Sequence, residues 1–145
     1  MAYQRYAIYH APPPGPLAAF GAAWLGWDLA QGMSIAHPQL PGLPMPVEDI
    51  TATPRKYGFH ATLKPPFRLA EGCTEADLIS GVELLGSRML HPVHDLQLDV
   101  TRLGRFLALT ATGNTAQLGA LAAMCVETLD TFRAPPTDAE LRKRR

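Results

Sequence analysis

The chain has 145 residues, 47% of them hydrophobic and 18% charged, which is typical of a globular domain and argues against a disordered or fibrous chain. Thirteen basic and thirteen acidic residues cancel to a formal net charge of zero, so any affinity for phosphate must come from a local arrangement. The N-terminus lacks a hydrophobic signal core and no apolar run is long enough to span a bilayer. We therefore predict a cytoplasmic protein with no membrane partner.

The N-terminal part of the sequence predicts a strand followed by a helix. The aromatic-rich segment Tyr3–Tyr9 is typical of a strand, and the prolines at 12–14 end it because they lack backbone donors. Pro16 is suited to the first turn of a helix. Four apolar residues then recur at helical spacing and predict the face that packs on the core: Leu17, Phe20, Trp24 and Trp27.

The segment from Gly32 to Pro54 contains five prolines and shows neither helical nor strand periodicity. An unstructured connection of this length is uncommon inside a compact domain, so it is either a flap over a pocket or a disordered loop. It leads into the string YGFHATLKPPF at 57–67, whose alternation predicts a strand that Pro65 and Pro66 stop after Lys64.

The C-terminal part predicts two helices on either side of a β-hairpin. Thr74 with Asp77 predicts the start of a helix that runs to about Leu90, with Leu78, Val82, Leu85 and Met89 buried. Alternating residues at 96–101 and 107–111 predict strands joined by a turn at 103–105. A further helix begins at Asn114 or Thr115 and ends before Pro135. Its apolar face is Leu118, Leu121, Ala122, Cys125, Leu129 and Phe132.

This order of elements predicts an α+β fold, a mostly antiparallel sheet with helices packed on one face. We assign residues 1–134 to a single domain. Residues 135–145 begin a linker or helix, with Thr137 as its cap, and the helix stops so soon that we expect a truncated chain. The two cysteines match no zinc or redox spacing.

The polar side of the strand at 57–67 is a candidate site. Alternation sends Phe59, Ala61 and Leu63 towards the helices and Gly58, His60, Thr62 and Lys64 to the other side. Residues 60 and 62 lie about 7 Å apart on a strand, so an imidazole and a hydroxyl can contact one phosphate between them. Gly58 should leave open space beside the histidine. The alternative is an ordinary solvated sheet face.

The string HATL at 60–63 within YGFHATLKPPF resembles the first signature of the two-histidine (2H) phosphoesterases, a superfamily that includes RNA cyclic phosphodiesterases and RNA ligase-like proteins. The resemblance is closer to its phosphonate-metabolism branch and extends over the 145 residues. It implies a bilobal fold in which each lobe supplies one His-x-Thr/Ser motif to a central cleft. It further implies that one histidine is the base and the other the acid, that the hydroxyls hold nonbridging oxygens, and that no metal or other cofactor takes part.

On this chain the resemblance makes His60 and Thr62 the catalytic residues. It suggests a further set of substrate-binding neighbours: Lys64, Tyr57, Arg55 and Lys56. The second motif is missing, because none of the other histidines has a hydroxyl residue two positions on. These are His10, His37, His91 and His94. His91 and His94 form a poor metal site because no carboxylate cluster or cysteine pair lies nearby in the sequence.

Three functional interpretations follow. The chain is a metal-independent phosphoesterase, a hydrolase of a cyclic phosphodiester or of a nucleotide or RNA-end phosphate ester. Alternatively it is a noncatalytic lobe that binds the phosphate of a small ester or an RNA end. In the third interpretation it is a homodimer in which a second copy supplies the facing half of the site. A lone lobe should also expose an apolar face.

Overall fold

The computed structural model describes residues 4–88 and 92–142. The chain divides into two compact units, one formed by Met1–Ile8 with Leu63–Arg145 and the other by Tyr9–Thr62. Helices and antiparallel strands both occur, which confirms the predicted α+β class. Strand pairing in the described residues gives three separate two-stranded sheets, β1 with β4, β2 with β3 and β5 with β6, where we predicted one sheet. The assignment of 1–134 to one domain stays a prediction.

The elements follow one another in this order. The strands are β1 (Tyr6–His10), β2 (Trp27–Asp28), β3 (Met33–Ser34), β4 (Ala61–Phe67), β5 (Leu96–Leu103) and β6 (Phe106–Gly113). The α-helices are α1 (Pro16–Leu25), α2 (Val47–Ile50), α3 (Glu75–Arg88), α4 (Ala116–Thr128) and α5 (Asp138–Arg142), and 3-10 turns cover Pro54–Lys56 and Leu129–Phe132. None of the helices in the described part is long and apolar enough to cross a bilayer.

In the Tyr9–Thr62 unit, α1 packs through small residues and not through its predicted aromatic stripe. The helix buries Gly21, Ala22 and Leu25, whereas Phe20 is 58% exposed. A Cβ on Gly21 would lie 2.2 Å from Cδ1 of Phe59, so the phenyl ring rests on bare helix backbone. Trp27 lies outside α1, because Gly26 ends the helix in the left-handed conformation.

The proline-rich segment 32–54 is partly structured, in contrast to the prediction of a wholly irregular connection. It contains β3 and α2, and Thr51 at the end of α2 is 1% exposed. The Thr51 hydroxyl donates to the Val47 carbonyl at 2.8 Å. Residues 37–40 and 43–48 line a surface cavity of about 450 Å³. The idea that this segment moves as a flap stays a prediction.

Strand β4 continues through Pro65 and Pro66 to Phe67, so the predicted stop after Lys64 is wrong. In the described residues β4 pairs only with β1. The backbone N–H groups on its other edge therefore have no neighbouring strand to bond to. Proline is tolerated on such an edge. The Pro66 carbonyl accepts a hydrogen bond from Arg5 Nη2 at 2.8 Å.

The core of the larger unit lies between α3 and α4. Leu85, Cys125 and Leu129 are buried together, and partly buried apolar residues pack on them: Ile8, Leu63, Val82, Leu121 and Phe132. The predicted cap of α3 is confirmed, since Thr74 N donates to Asp77 Oδ2 at 2.8 Å and Asp77 N donates to Thr74 Oγ1 at 3.2 Å. The predicted buried Met89 and the predicted helix end at Leu90 lie outside the described residues.

The predicted β5–β6 hairpin is confirmed. Its register pairs Leu103 with Phe106 around the turn, and Gly104 adopts φ of 63°. The hairpin carries the exposed apolar surface that we expected, with Val100 73% and Leu107 66% exposed. The explanation that this surface belongs to a missing lobe stays a prediction.

Candidate functional site

His60 lies directly before β4 and is held through one ring nitrogen. Its Nδ1 is 3.0 Å from the Gly58 carbonyl oxygen. A carbonyl can only accept a hydrogen bond, so Nδ1 carries the proton in this arrangement and Nε2 of the neutral ring carries the lone pair. The imidazole is half-buried, and the described residues offer Nε2 no hydrogen bond. The ring is therefore oriented at one nitrogen and available for proton transfer at the other.

Gly58 supplies this carbonyl from a backbone conformation that favours glycine. Its φ is 73°, in the left-handed region where other residues are strained. A Cβ at this position would lie 3.1 Å from Leu29 Cβ and 3.3 Å from Trp27 Cδ1. The expectation that Gly58 leaves open space is therefore wrong. Leu29 and Trp27 fill that space and fix the peptide that holds His60.

Tyr9 contacts the same imidazole from β1. The two ring centroids are 3.7 Å apart and the ring planes are inclined by 26°, which is a stacked arrangement. β1 pairs with β4, and this pairing links the segment that carries Tyr9 to the strand that follows His60. One face of the imidazole is thereby covered by an aromatic ring.

Thr62 lies in β4 and belongs to the same unit as His60. Its side chain is exposed, and its hydroxyl has no hydrogen-bond partner within residues 4–88 and 92–142. The hydroxyl is therefore available to donate to an anion. Ala61, which we predicted to face the helices, is also exposed.

The three residues before Gly58 differ in how strongly the protein engages them. Arg55 Nε donates to the Leu25 carbonyl at 3.0 Å, and its Nη2 donates to the carbonyl of Glu48. Arg55 thus ties the end of α1 to α2. Tyr57 is 58% exposed, and the exposed Lys56 side chain forms no hydrogen bond or ion pair in the described residues. Lys56 is the available cation of this segment.

Lys64 belongs to the larger unit and is 2% exposed, although alternation placed it on the polar side of the strand, away from the helices. Its Nζ donates to the Val126 carbonyl at 2.8 Å and to Asp130 Oδ1 at 3.1 Å. Arg133 donates to the same carboxylate at 2.6 and 2.8 Å. The Lys64 ammonium is thus neutralised inside its own unit, which explains how a lysine can be buried there.

Sequence reasoning missed three contacts of the predicted site residues. These are the stacking of Tyr9 on His60, the hydrogen bond of His60 to the Gly58 carbonyl, and the ion pair of Lys64 with Asp130. The glycine in YGFH offered a signal, since a glycine before a functional residue often marks a positive φ. No local pattern linked Tyr9 or Asp130 to the motif. In the described part of the chain, no three His, Cys, Asp or Glu side chains gather as a metal site. His91, half of the HPVH string, lies outside that part.

Known proteins resemble this chain over most of its length. The family described as "Protein of unknown function (DUF1045)" matches residues 62–145, a range that includes Thr62. A Janthinobacterium sp. (strain Marseille) protein named Ribose 1,5-bisphosphate phosphokinase PhnN is 41% identical over 143 residues, 97% of this chain and 31% of that protein. A protein of the same name from Laribacter hongkongensis (strain HLHK9) is 36% identical over 132 residues, 90% of this chain and 31% of that protein.

This chain therefore spans about a third of the length of the curated relatives that it matches. No solved structure gives a significant match.

Substitution of Gly58 tests how the site is held. Gly58→Ala should lower the free energy of unfolding by about 1–2 kcal/mol through its left-handed backbone and by about 1–3 kcal/mol more through contact with Leu29 and Trp27. It should also shift the NMR signals of the His60 ring. Gly32→Ala is the matched control, because Gly32 has φ of 64° and a Cβ added there would meet no atom within 4 Å. Equal urea midpoints for the two variants would contradict this account.

The ion pairs of Asp130 with Lys64 and Arg133 predict that the stability of the fold falls in acid. Hydrogen bonds from Arg133 and then from Lys64 hold the pKa of the Asp130 carboxyl well below its usual range. An unfolded aspartate titrates at about 3.9, so as the pH falls towards and below that value the unfolded state binds more protons and stability falls. Asp130→Asn should make the urea midpoint less dependent on pH between pH 6 and pH 3. The control is Asp99→Asn, whose carboxylate makes no hydrogen bond or ion pair in the described residues; matching pH profiles for Asp130→Asn and the unmodified chain would refute the prediction.

Proposed function

The chain belongs to the DUF1045 family, and we propose that it is a phosphoesterase-type protein whose half-site is formed by His60 and Thr62. The proposed substrate class is a cyclic phosphodiester or a nucleotide or RNA-end phosphate ester, with the phosphonate-metabolism proteins as the proposed branch. The observation that carries the proposal is the Nδ1 contact of His60 with the Gly58 carbonyl. This contact leaves Nε2 as the nitrogen that can accept a proton.

In the proposed reaction, a water oxygen attacks phosphorus in line with the leaving oxygen. His60 Nε2 accepts the water proton as the new P–O bond forms and the bond to the leaving oxygen breaks. The leaving oxygen takes up a proton from solvent water, which is slow, or from a second acid supplied by another copy of the chain. Imidazole suits either task, because its unperturbed pKa is near neutrality.

Thr62 and Lys56 have complementary tasks in this proposal. The Thr62 hydroxyl donates to a nonbridging oxygen, and the Lys56 ammonium offsets part of the phosphate charge. Tyr57 and Arg55 are proposed as substrate neighbours, with Arg55 already partly engaged by Leu25 and Glu48. Lys64 would contribute least, because its ammonium already bonds to Asp130 and Val126.

The names of the relatives support phosphate esters as a substrate class, since ribose 1,5-bisphosphate is one. Their kinase activity is not what we propose for this chain. The P-loop pattern G-x-x-x-x-G-K-[S/T] cradles nucleotide phosphates in many kinases. The strings 21–26 and 81–86 begin and end with glycine at that spacing, but Trp27 and Ser87 follow where lysine is required.

A second candidate function is phosphate binding without catalysis. It is favoured by the presence of a single His-x-Thr motif in the 145 residues. Loss of one partner in proton transfer typically lowers a rate by about 10²- to 10⁴-fold, so a half-site can bind an ester and turn it over very slowly. A second copy of the chain is a further proposed source of the missing acid, and sedimentation would then show a symmetric dimer.

Hydrolysis of a 2′,3′-cyclic nucleotide is the direct test of the catalytic proposal. We expect product formation that is unchanged by a chelator and falls about 10²- to 10⁴-fold in His60→Ala. His94→Ala is the matched control, because His94 is an exposed histidine in the other unit. Activity that survives in His60→Ala rejects the catalytic role of His60.

Titration with inorganic phosphate separates the two candidate functions. If the chain binds without catalysis, phosphate should shift the His60 ring signals while no cyclic nucleotide is hydrolysed. The His94 signals should stay in place. An absence of both turnover and phosphate-dependent shifts at His60 would refute both functions.

Thr62 allows a conservative pair of variants. Thr62→Val keeps the shape and removes the hydroxyl, and removal of one oxyanion donor typically lowers kcat by about 10²- to 10³-fold. Thr62→Ser keeps the donor and should retain most activity. If the chain binds phosphate without catalysis, Thr62→Val should bind phosphate more weakly than Thr62→Ser. Equal behaviour of the two variants in turnover and in binding would exclude Thr62 from the site.

A further inference from the structure

We propose that Tyr9 is a positioning residue that fixes the orientation of the His60 imidazole by stacking on one of its faces. The inference deepens the proposed function and rests on it for its catalytic consequence. Its structural content is independent of that function, because it concerns only how two rings of the Tyr9–Thr62 unit are held together.

Two contacts restrain the imidazole in different ways. The hydrogen bond from Nδ1 to the Gly58 carbonyl at 3.0 Å opposes a flip that would exchange the ring nitrogens. The Tyr9 ring, with its centroid 3.7 Å away and its plane inclined by 26°, opposes tilting of the imidazole. The two restraints together leave Nε2 pointing in one direction.

Tyr9 lies at the surface of its unit and contacts the His60 ring there. Tyr9 is 36% exposed, so it is not part of the buried core. Tyr9 lies in β1, whose pairing with β4 links it to the strand that begins directly after His60. The same pairing that builds the small sheet therefore supplies the stacking ring.

Orientation matters because a proton-transfer group must lie within hydrogen-bond reach of the attacking water. A displacement of about 1 Å can lower a rate by about 10²-fold. Tyr9 does not itself contact the reacting atoms in this proposal. Its loss should therefore change kcat through His60 and leave substrate binding by Thr62 and Lys56 largely intact.

The NMR signals of the His60 ring test the stack in the intact chain. We expect nuclear Overhauser contacts between the Tyr9 and His60 rings and upfield shifts of the imidazole carbon-bound protons, as produced by a ring stacked over them. Tyr9→Phe should keep the shifts and Tyr9→Leu should abolish them. Phe20→Leu is the matched control, because Phe20 is an exposed aromatic residue of the same unit whose ring stacks on Trp24.

Kinetics of cyclic nucleotide hydrolysis test the positioning role. Tyr9→Leu should lower kcat by about 10- to 100-fold with KM changed by less than about threefold, and Tyr9→Phe should restore kcat, since the aromatic ring and not the hydroxyl is the proposed element. If Tyr9 contributed to stability alone, Tyr9→Leu would change the urea midpoint but would not lower kcat while leaving KM nearly unchanged.

The outcomes separate the two proposals. Unchanged His60 shifts and unchanged kcat in Tyr9→Leu would overturn the positioning role, as would the absence of Tyr9–His60 contacts in the native spectrum. If the unmodified chain shows no turnover and no phosphate-dependent shift, the proposed function fails, and the ring shifts still decide whether Tyr9 orients His60. If Tyr9→Leu does not fold, the native spectrum and Tyr9→Phe decide the same point.

Discussion

The hydrogen bond between His60 Nδ1 and the Gly58 carbonyl determines what the single His-x-Thr motif of this chain can do. It puts the proton on one ring nitrogen and leaves the lone pair on the other, Nε2. The bond depends on a left-handed Gly58, and Leu29 and Trp27 pack where a side chain at that position would lie. The chemistry proposed for the imidazole therefore rests on the packing of β2 and of Leu29, which follows it.

A comparison of His60 with Lys64 shows that residue type and spacing do not by themselves define a site. Both were predicted on the polar side of one strand. Lys64 finds its partners within its own unit, in Asp130 and the Val126 carbonyl, and its charge is neutralised there. His60 keeps an unbonded nitrogen within the described residues, and Thr62 keeps an unbonded hydroxyl. Polar groups that the fold leaves without partners are the ones available to a ligand.

The features that the sequence predicted well are those that depend on neighbouring residues. The Thr74–Asp77 cap, the β5–β6 turn and the buried Cys125 and Leu129 follow from local spacing. The buried face of α1 was predicted wrongly, because the contact of Phe59 with Gly21 joins distant segments. The candidate site likewise combines features set by neighbouring residues with features set by distant contacts. The string HATL indicated His60 and Thr62, whereas the Tyr9 stack requires the pairing of β1 with β4, which no local pattern specifies.

The protonation pattern of His60 is the most direct test of the account. A long-range ¹H–¹⁵N spectrum of the unmodified chain at alkaline pH distinguishes the two neutral tautomers. We expect a protonated Nδ1 and an unprotonated Nε2 for His60. A spectrum with the proton on Nε2 would contradict it, because the nitrogen assigned to accept a proton would already carry one.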